Sequence, residues 1–224
     1  MKLFVSILAL SLSYLCHGQS LNFGIGYDYL YAKQFDNLIQ TYNYSRPFLN
    51  EKQPLLSHGF SSNISYLFKS KKQFSSGIAI NFSRTSSKTK NDNLNINLSF
   101  NTLELGYLVH CENRDKFGDF FGELGLNLMT GLLNKKVNNE SYVIDDAKVK
   151  SLHIGASFSL TAGYWFKLNE KLNIAPKVGF HYAPYLTEGT SETVINQTTS
   201  LVKEQCNALL KFDVGVLVQI WNKR

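Results

Sequence analysis

The sequence contains little charge, little proline and little cysteine. Only 18% of its 224 residues are charged and four are proline, while 44% are apolar and 13% aromatic. A disordered chain would carry more charge and fewer aromatic residues, so the composition excludes disorder. Low charge combined with many aromatic residues is also unusual for a soluble enzyme rich in helices. The modest net charge of +6 comes without a basic stripe, so we expect no nucleic-acid partner.

Long apolar runs are absent beyond the N-terminus, where no stretch approaches the roughly 18 unbroken apolar residues of a membrane helix. The N-terminus has the pattern of a secretory signal: a basic start at Lys2, an apolar run over 3–15 and small residues before Gln19. We predict a signal peptide at 1–18 and one exported domain at 19–224. A lipoprotein acylated at Cys16 is the alternative, and it is disfavoured because Leu15 is not small.

Apolar and polar residues alternate with a period of two in eight segments of the chain. The segment 21–31 places Leu21, Phe23 and Ile25 on one parity and Asn22 and Gly24 on the other. A strand with two unlike faces shows this pattern. The other segments lie at about 60–68, 74–82, 94–109, 118–133, 151–166, 172–184 and 207–221. The apolar parity of 94–109 changes at Asn101-Thr102, which predicts a β-bulge there, and no segment with a helical period competes with these strands.

The connections between the predicted strands alternate in length. The longer ones span about 33–57, 85–93, 134–150 and 185–206, and the shorter ones about 70–73, 110–117 and 167–171. An up-and-down barrel with loops at one rim and turns at the other gives this rhythm. Cys111 and Cys206 then lie at opposite rims, separated by an apolar band about 25 Å tall, and cannot form a disulfide.

The two faces of the strands decide which side meets water. The apolar parity would supply roughly 40 large side chains, and an eight-stranded barrel is only just wide enough for its own interior side chains. The opposite parity is mostly Gly, Ser, Ala, Asn and Thr, which suits a narrow lumen. The apolar face therefore points outward to lipid, and closure satisfies the backbone hydrogen bonds. We predict an all-β fold: an eight-stranded antiparallel up-and-down transmembrane β-barrel, with its short turns and termini in the periplasm.

Two segments resemble sequences of known outer-membrane barrels. The tail Asp213-Val214-Gly215-Val216-Leu217-Val218-Gln219-Ile220 resembles the C-terminal assembly signal, carried here by Asp213, Gly215, Val218 and Ile220. Thr102-Leu103-Glu104-Leu105-Gly106-Tyr107-Leu108-Val109 is similar to the "LEIPLL" strand of the Bacteroidota outer-membrane β-barrel family that includes PorT-like proteins. Phe120-Phe121-Gly122-Glu123-Leu124-Gly125 resembles that family's next strand. The resemblance implies a bacterial outer-membrane location and recognition by the barrel-assembly machinery.

Charged residues on the inward parity are the main candidates for a site. Glu104 and Glu123 flank the turn near 113–114 symmetrically, so we expect them to lie opposite each other. We interpret the set as a salt-bridged network that fills the lumen, with a proton- or ion-conducting path as the alternative. A glycosidase-like carboxylate pair is disfavoured because a filled lumen has no room for a sugar. The set comprises Asp28, Glu104, Glu123, Lys177, Lys211 and Asp213.

Two histidines form a second candidate site. His153 and His181 share the inward parity on neighbouring strands, so they could hold a metal together with a loop carboxylate such as Glu188. Ordinary polarity at the rim is the favoured interpretation, and we expect no cofactor.

The sequence predicts a non-catalytic outer-membrane barrel whose apolar face contacts lipid. It would stabilise the membrane or bind a protein at the cell surface or in the periplasm, chiefly through the loops 33–57 and 185–206. A lipid-modifying enzyme, such as a lipid A deacylase or acyltransferase, and a small pore are the alternatives. No Ser-His-acid set stands out to support the enzyme.

Overall fold

The computed structural model describes residues 20–45, 47, 51–68, 73–91, 94–115, 118–137, 140–142, 152–188 and 208–221. The predicted signal peptide, Cys206 and most of the loop 185–206 lie outside these ranges. The elements are β1 (Ser20–Tyr31), α1 (Lys33–Tyr44), β2 (His58–Leu67), β3 (Phe74–Asn91), β4 (Leu94–Asp115), β5 (Gly118–Val137), β6 (Glu140–Tyr142), β7 (Leu152–Lys167), β8 (Leu172–Glu188) and β9 (Leu209–Trp221). Within the described part of the chain, no helix is long and apolar enough to cross a membrane.

Eight of the strands close into an antiparallel barrel. Each strand pairs with its neighbours in chain order, and β1 also pairs with β9 from Ser20↔Trp221 to Tyr31↔Leu210. The short β6 lies outside this ring and pairs with the end of β5. The predicted eight-stranded, closed, antiparallel fold is therefore confirmed.

The outer wall of the barrel is apolar over most of its height. Ile25, Phe60 and Leu128 are each at least 70% exposed, and outward-facing Leu, Ile, Val, Phe and Tyr side chains continue around the ring. A contiguous exposed apolar surface of this extent is foreign to a soluble monomer and matches the band that a barrel presents to hydrocarbon. The apolar parity points outward here, as the sequence predicts.

Strand β4 is regular where the sequence predicted a bulge. Asn101 and Thr102 pair with Arg84 and Ser83 on one side and with consecutive residues of β5 on the other, without a shift in register. The expectation of a bulge at 101–102 is therefore wrong. The inward parity continues unbroken from Phe100 to Thr102, and what changes there is the polarity of the interior. The irregularity in the described strands lies instead in β7, between Ala156 and Phe158.

Two predicted connections are largely strand. β3 runs to Asn91 and β4 begins at Leu94, so the predicted loop 85–93 is a long hairpin extension. Ser87 and Thr89 face inward on this extension and donate hydrogen bonds to the carbonyls of Pro54 (2.6 Å) and Lys52 (2.9 Å). The predicted turn 110–117 also contracts, because β4 continues to Asp115 and β5 starts at Gly118.

The predicted loop 33–57 contains the helix α1, an element that the strand pattern does not predict. Its sequence carries apolar residues at Phe35, Leu38, Ile39 and Tyr42, the spacing of an amphipathic helix. Phe35 and Ile39 are buried against strand residues that include Phe100. The helix thus covers the loop-rim mouth of the barrel, and we call the segment 33–57 the lid.

Hydrogen bonds as well as apolar packing fix the lid on the barrel. The Asn43 side chain donates to the carbonyl of Gln53 (2.9 Å) and accepts from its backbone amide (2.8 Å). Gln53 is buried and its side chain hydrogen-bonds Ser87 on β3. Leu56 is buried among the apolar residues below the helix. These contacts make the lid part of the folded barrel, with its polar helix face toward solvent.

Candidate functional site

Charged side chains from four strands meet in the lumen directly below the lid. Lys177 Nζ lies 2.8 Å from Asp213 Oδ2, and Lys211 Nζ lies 3.2 Å from Glu104 Oε1. All four side chains are at most 8% exposed. We define the lumen charge cluster as Asp28, Glu104, Lys177, His181, Lys211 and Asp213.

His181 connects the two ion pairs. Its Nδ1 lies 3.2 Å from Glu104 Oε2, and its Nε2 lies 3.5 Å from Asp213 Oδ1. Both ring nitrogens thus face a carboxylate, and the imidazole lies between the two ion pairs.

Asp28 completes the lumen charge cluster from β1. It is fully buried and pairs across the strands with Asp213 on β9. Its carboxylate interacts electrostatically with Lys211 and lies near the Ser61 hydroxyl. Two carboxylates this close repel each other unless cations lie nearby, and Lys177 and Lys211 supply them.

A glycine on β8 makes room for the Asp213 carboxylate. A Cβ atom built on Gly179 would overlap that carboxylate, and Gly179 is the register partner of Asp213 on the adjacent strand. Any larger residue at this position would displace the group that binds both Lys177 and His181.

Neutral polar groups on β5 and β7 support Glu104. The Ser157 hydroxyl donates to Glu104 Oε2 at 3.4 Å, and Asn127 donates to both Ser157 and Ser159 at 3.3 Å. These two strands lie between β4 and β8 in the ring. They extend the polar network across a part of the wall that carries no member of the lumen charge cluster.

The structure places Glu123 away from the other predicted lumen residues. Glu104 pairs with Met129 on β5, and Glu123 pairs with His110 on β4, so the two glutamates do not lie opposite each other. The hairpin is centred near 116–117 rather than 113–114, which moves the partner of Glu104 by six residues. Glu123 instead contacts His110 Nδ1 at 3.0 Å.

An aromatic layer lies on the turn side of the lumen, around this second pair. The His110 ring stacks on Phe121 with centroids 5.6 Å apart, and Phe121 stacks on Trp165 at 4.7 Å. Phe121 and Trp165 pack with Ala175 and Leu217 in a buried apolar cluster. The lumen is therefore filled by apolar side chains on both sides of the lumen charge cluster.

The two candidate metal-binding histidines do not meet. His181 pairs with Ser159 on β7, six residues from His153. His153 lies under the lid, with its ring 5.6 Å from that of Phe35 and 5.8 Å from that of Phe100. Across the described ranges, no group of three His, Cys, Asp or Glu side chains is placed to hold a metal ion. The proposed pairing of His153 and His181 is therefore wrong.

His181 is the member of the lumen charge cluster that the sequence analysis assigned elsewhere. It shares the inward parity with Lys177 and is the register partner of Lys211 on β9. In the predicted pairing, His181 was compared only with β7. Aligning β8 with β9 as well would have placed His181 beside Lys211. Of the predicted assembly-signal residues, Asp213 is buried in the lumen charge cluster, while Ile220 faces outward. Recognition by the assembly machinery stays a prediction.

Comparisons with known proteins give barrels of low similarity. No family model and no curated protein matches the chain. Neisserial surface protein A is 11% identical, with a TM-score of 0.49 over 90% of this chain and 96% of that one. OprG from Pseudomonas aeruginosa is 9% identical, with a TM-score of 0.46 over 92% and 96%. Ail from Yersinia pestis is 10% identical, with a TM-score of 0.42 over 91% and 99%. The fold assignment rests on the strand pairing.

Proposed function

We propose that the chain is a non-catalytic integral outer-membrane barrel with a closed lumen, similar in kind to the PorT-like barrels of Bacteroidota. Its role is to stabilise the membrane and to present the outer face of the lid at the cell surface. The observation that carries the proposal is the combination of an apolar outer wall with a lumen filled at successive levels.

The outer wall supports a membrane location. Apolar side chains occupy outward positions on all eight barrel strands, and the backbone groups between them are paired around the closed ring. In hydrocarbon an unpaired backbone group costs several kcal/mol, so closure is a condition for residence there. The same surface in water would favour aggregation.

The filled lumen supports a closed barrel over a pore. A conducting pore needs a continuous path of water, whereas the lid residues Phe35 and Ile39 cover the mouth and the lumen charge cluster is at most 8% exposed beneath them. Lys177 and Lys211 each lie beside a carboxylate, so both of these cations are already paired.

The same burial supports a non-catalytic role. Among the residues that the structure describes, the nearest approach to a Ser-His-acid set is Ser157, His181 and Glu104, and there the serine bonds to the carboxylate rather than to the histidine. A hydrolase requires its base within reach of the nucleophile's proton. All three side chains also face the filled lumen instead of lipid.

Heat-modifiable mobility tests the membrane barrel. The outer-membrane fraction is run on a detergent gel, boiled and unboiled, and we expect the unboiled protein to migrate differently because the closed barrel resists the detergent. A protein found in the soluble fraction, without a mobility shift, would overturn the proposal. The apolar parity would then line a pocket for a small ligand.

Conductance across a planar lipid bilayer tests the closed lumen. We expect the refolded protein to insert without stepwise currents. A Phe35→Ser/Ile39→Ser double variant loosens the lid and so separates the contribution of the lid from that of the lumen charge cluster. If neither the unaltered protein nor the variant conducts, the lumen charge cluster closes the lumen. Steady stepwise currents from the unaltered protein would contradict the proposal and favour the pore.

A further inference from the structure

An open groove of about 610 Å³ runs along the outer wall at the loop rim, across β1 to β4. Its lining combines aromatic and basic side chains: Tyr27, His58, Phe60, Phe82, Arg84 and Lys88. Volumes of a few hundred cubic ångströms are typical of small-molecule sites. The groove lies outside the lumen and shares no side chain with the lumen charge cluster.

The groove crosses the upper edge of the apolar band. Phe82 and Leu103 face each other across β3 and β4, and both are exposed apolar residues. The next outward pair along these strands is Arg84 with Asn101, and Lys88 with Asn97 follows further along. On β3 and β4 the outer face thus changes from apolar to polar within one pair of residues. In a membrane barrel that change marks the level of the lipid headgroups.

Arg84 and Lys88, the two permanently basic side chains of the groove, have no acidic partner among the described residues. Arg84 and Lys88 are exposed, and neither forms an ion pair within the described residues. Inside the barrel, by contrast, Lys177 and Lys211 each lie beside a carboxylate of the lumen charge cluster. Two unneutralised cations on the outer wall make the groove complementary to an anion.

Aromatic side chains line the groove beside Arg84. Arg84 is the register partner of Phe60, which in turn pairs with Tyr27. The rings of Tyr27 and Phe60 meet edge to face at 5.7 Å, and His58 stacks on Tyr27 at 5.8 Å. Gly59 allows β2 to approach β3 here, because a Cβ atom on it would overlap the backbone of Arg84. The aromatic rings and the Arg84 side chain therefore line the same groove.

We infer that this groove binds the phosphate-bearing headgroup of an anionic lipid. Arg84 donates to the phosphate oxygens, for which its planar fork of N–H groups is suited, and Lys88 extends the positive surface. Phe60, Tyr27 and Phe82 contact the first part of an acyl chain. The inference rests on the proposed membrane location, because the apolar part of the ligand must reach the outer wall from a bilayer.

The test compares two lipids with identical acyl chains, phosphatidylglycerol and phosphatidylcholine. Each is titrated into the detergent-solubilised, refolded barrel, and bound lipid is measured by native mass spectrometry. We expect phosphatidylglycerol to bind more tightly. The Arg84→Gln/Lys88→Gln variant is expected to lose about thirtyfold in that affinity, with Arg84→Gln alone responsible for the larger share.

A matched control removes the same charge at the same rim. Lys33→Gln/Lys52→Gln alters two exposed lysines of the lid and leaves the groove intact, so its affinity is expected to equal that of the unaltered protein. An equal loss in this control would show nonspecific attraction and overturn the site. Binding of both lipids with equal affinity would also overturn it.

Heat-modifiable mobility is measured on every variant. A folded, membrane-inserted barrel without lipid preference contradicts this inference alone. Loss of the mobility shift in the unaltered protein contradicts the proposed function instead.

Discussion

The lower and upper parts of the barrel arrange polarity in opposite ways on the same strands. On the turn-rim side of residue 101 in β4, Leu103, Leu105 and Tyr107 point outward while Glu104 is buried inside. On the loop-rim side of residue 101, Ile96, Leu98 and Phe100 point inward. The strand register is continuous across the boundary, so the side chains keep their directions and only their surroundings differ.

The difference indicates where the surrounding solvent changes. A lipid-embedded wall places apolar groups outside, whereas a wall in water places them inside. The upper part of the barrel is therefore organised as a small soluble domain, with the lid completing its core. The lower part is a membrane barrel whose interior must neutralise its own charges. A change of apolar parity inside a long strand can therefore have two causes. It can indicate a β-bulge, or it can indicate that a regular strand crosses a membrane boundary.

The largest effect is expected from unbalancing the lumen charge cluster. Glu104→Ala leaves Lys211 and His181 buried without their carboxylate, and breaking a buried pair costs about 3–5 kcal/mol. We expect this loss in the free energy of unfolding, measured by urea titration of the refolded barrel in detergent micelles.

Two variants test that explanation of the Glu104→Ala loss. Lys33→Ala removes an exposed charge of the lid and is expected to change stability by no more than about 0.5 kcal/mol. Glu104→Gln/Lys211→Met removes one charge of each sign and is expected to recover part of the loss. Equal stability of Glu104→Ala and Lys33→Ala would show that the lumen charges are not coupled.

A smaller effect is expected from placing one lysine on either side of the boundary. Ile78 and Ser86 both lie on the outer face of β3, below and above Arg84. Ile78→Lys places a charge in hydrocarbon, which costs about 2–4 kcal/mol near the midplane, while Ser86→Lys is expected to be nearly neutral. Unfolding from lipid vesicles measures both. Equal costs would mean that the boundary is not at Phe82 and Leu103.

The eight strands and their closure could be predicted because two unlike environments impose alternation directly on the sequence. The extension of β3 beyond residue 84 could not. There Thr85, Ser87 and Thr89 face inward and Ser86 faces outward, so the two faces differ little in polarity. Its inward hydroxyls are satisfied by the lid carbonyls of Lys52 and Pro54, a tertiary contact that has no local signature.

The composition of the candidate site was harder to predict than its location. Inward parity identified Asp28, Glu104, Lys177, Lys211 and Asp213, which the structure brings together. Partner identity depends on register, and an error of a few residues in a turn centre gives a wrong partner. Glu123 was misplaced for that reason. The helix α1 has a clear apolar spacing, but it lies within a long and polar connection between strands, which is typical of a loop.

The smallest effect concerns the lid and tests whether it behaves as a soluble core. Ile39→Val removes one buried methylene beneath α1 and is expected to cost about 1 kcal/mol. If the lid opens locally, cleavage between residues 33 and 57 by a protease accelerates about fivefold, because the rate follows the population of the open form. The urea midpoint of the barrel should not move. Gln40→Ala on the exposed face of α1 is the control, and a shift of the barrel midpoint without faster cleavage would show that lid and barrel unfold as one unit.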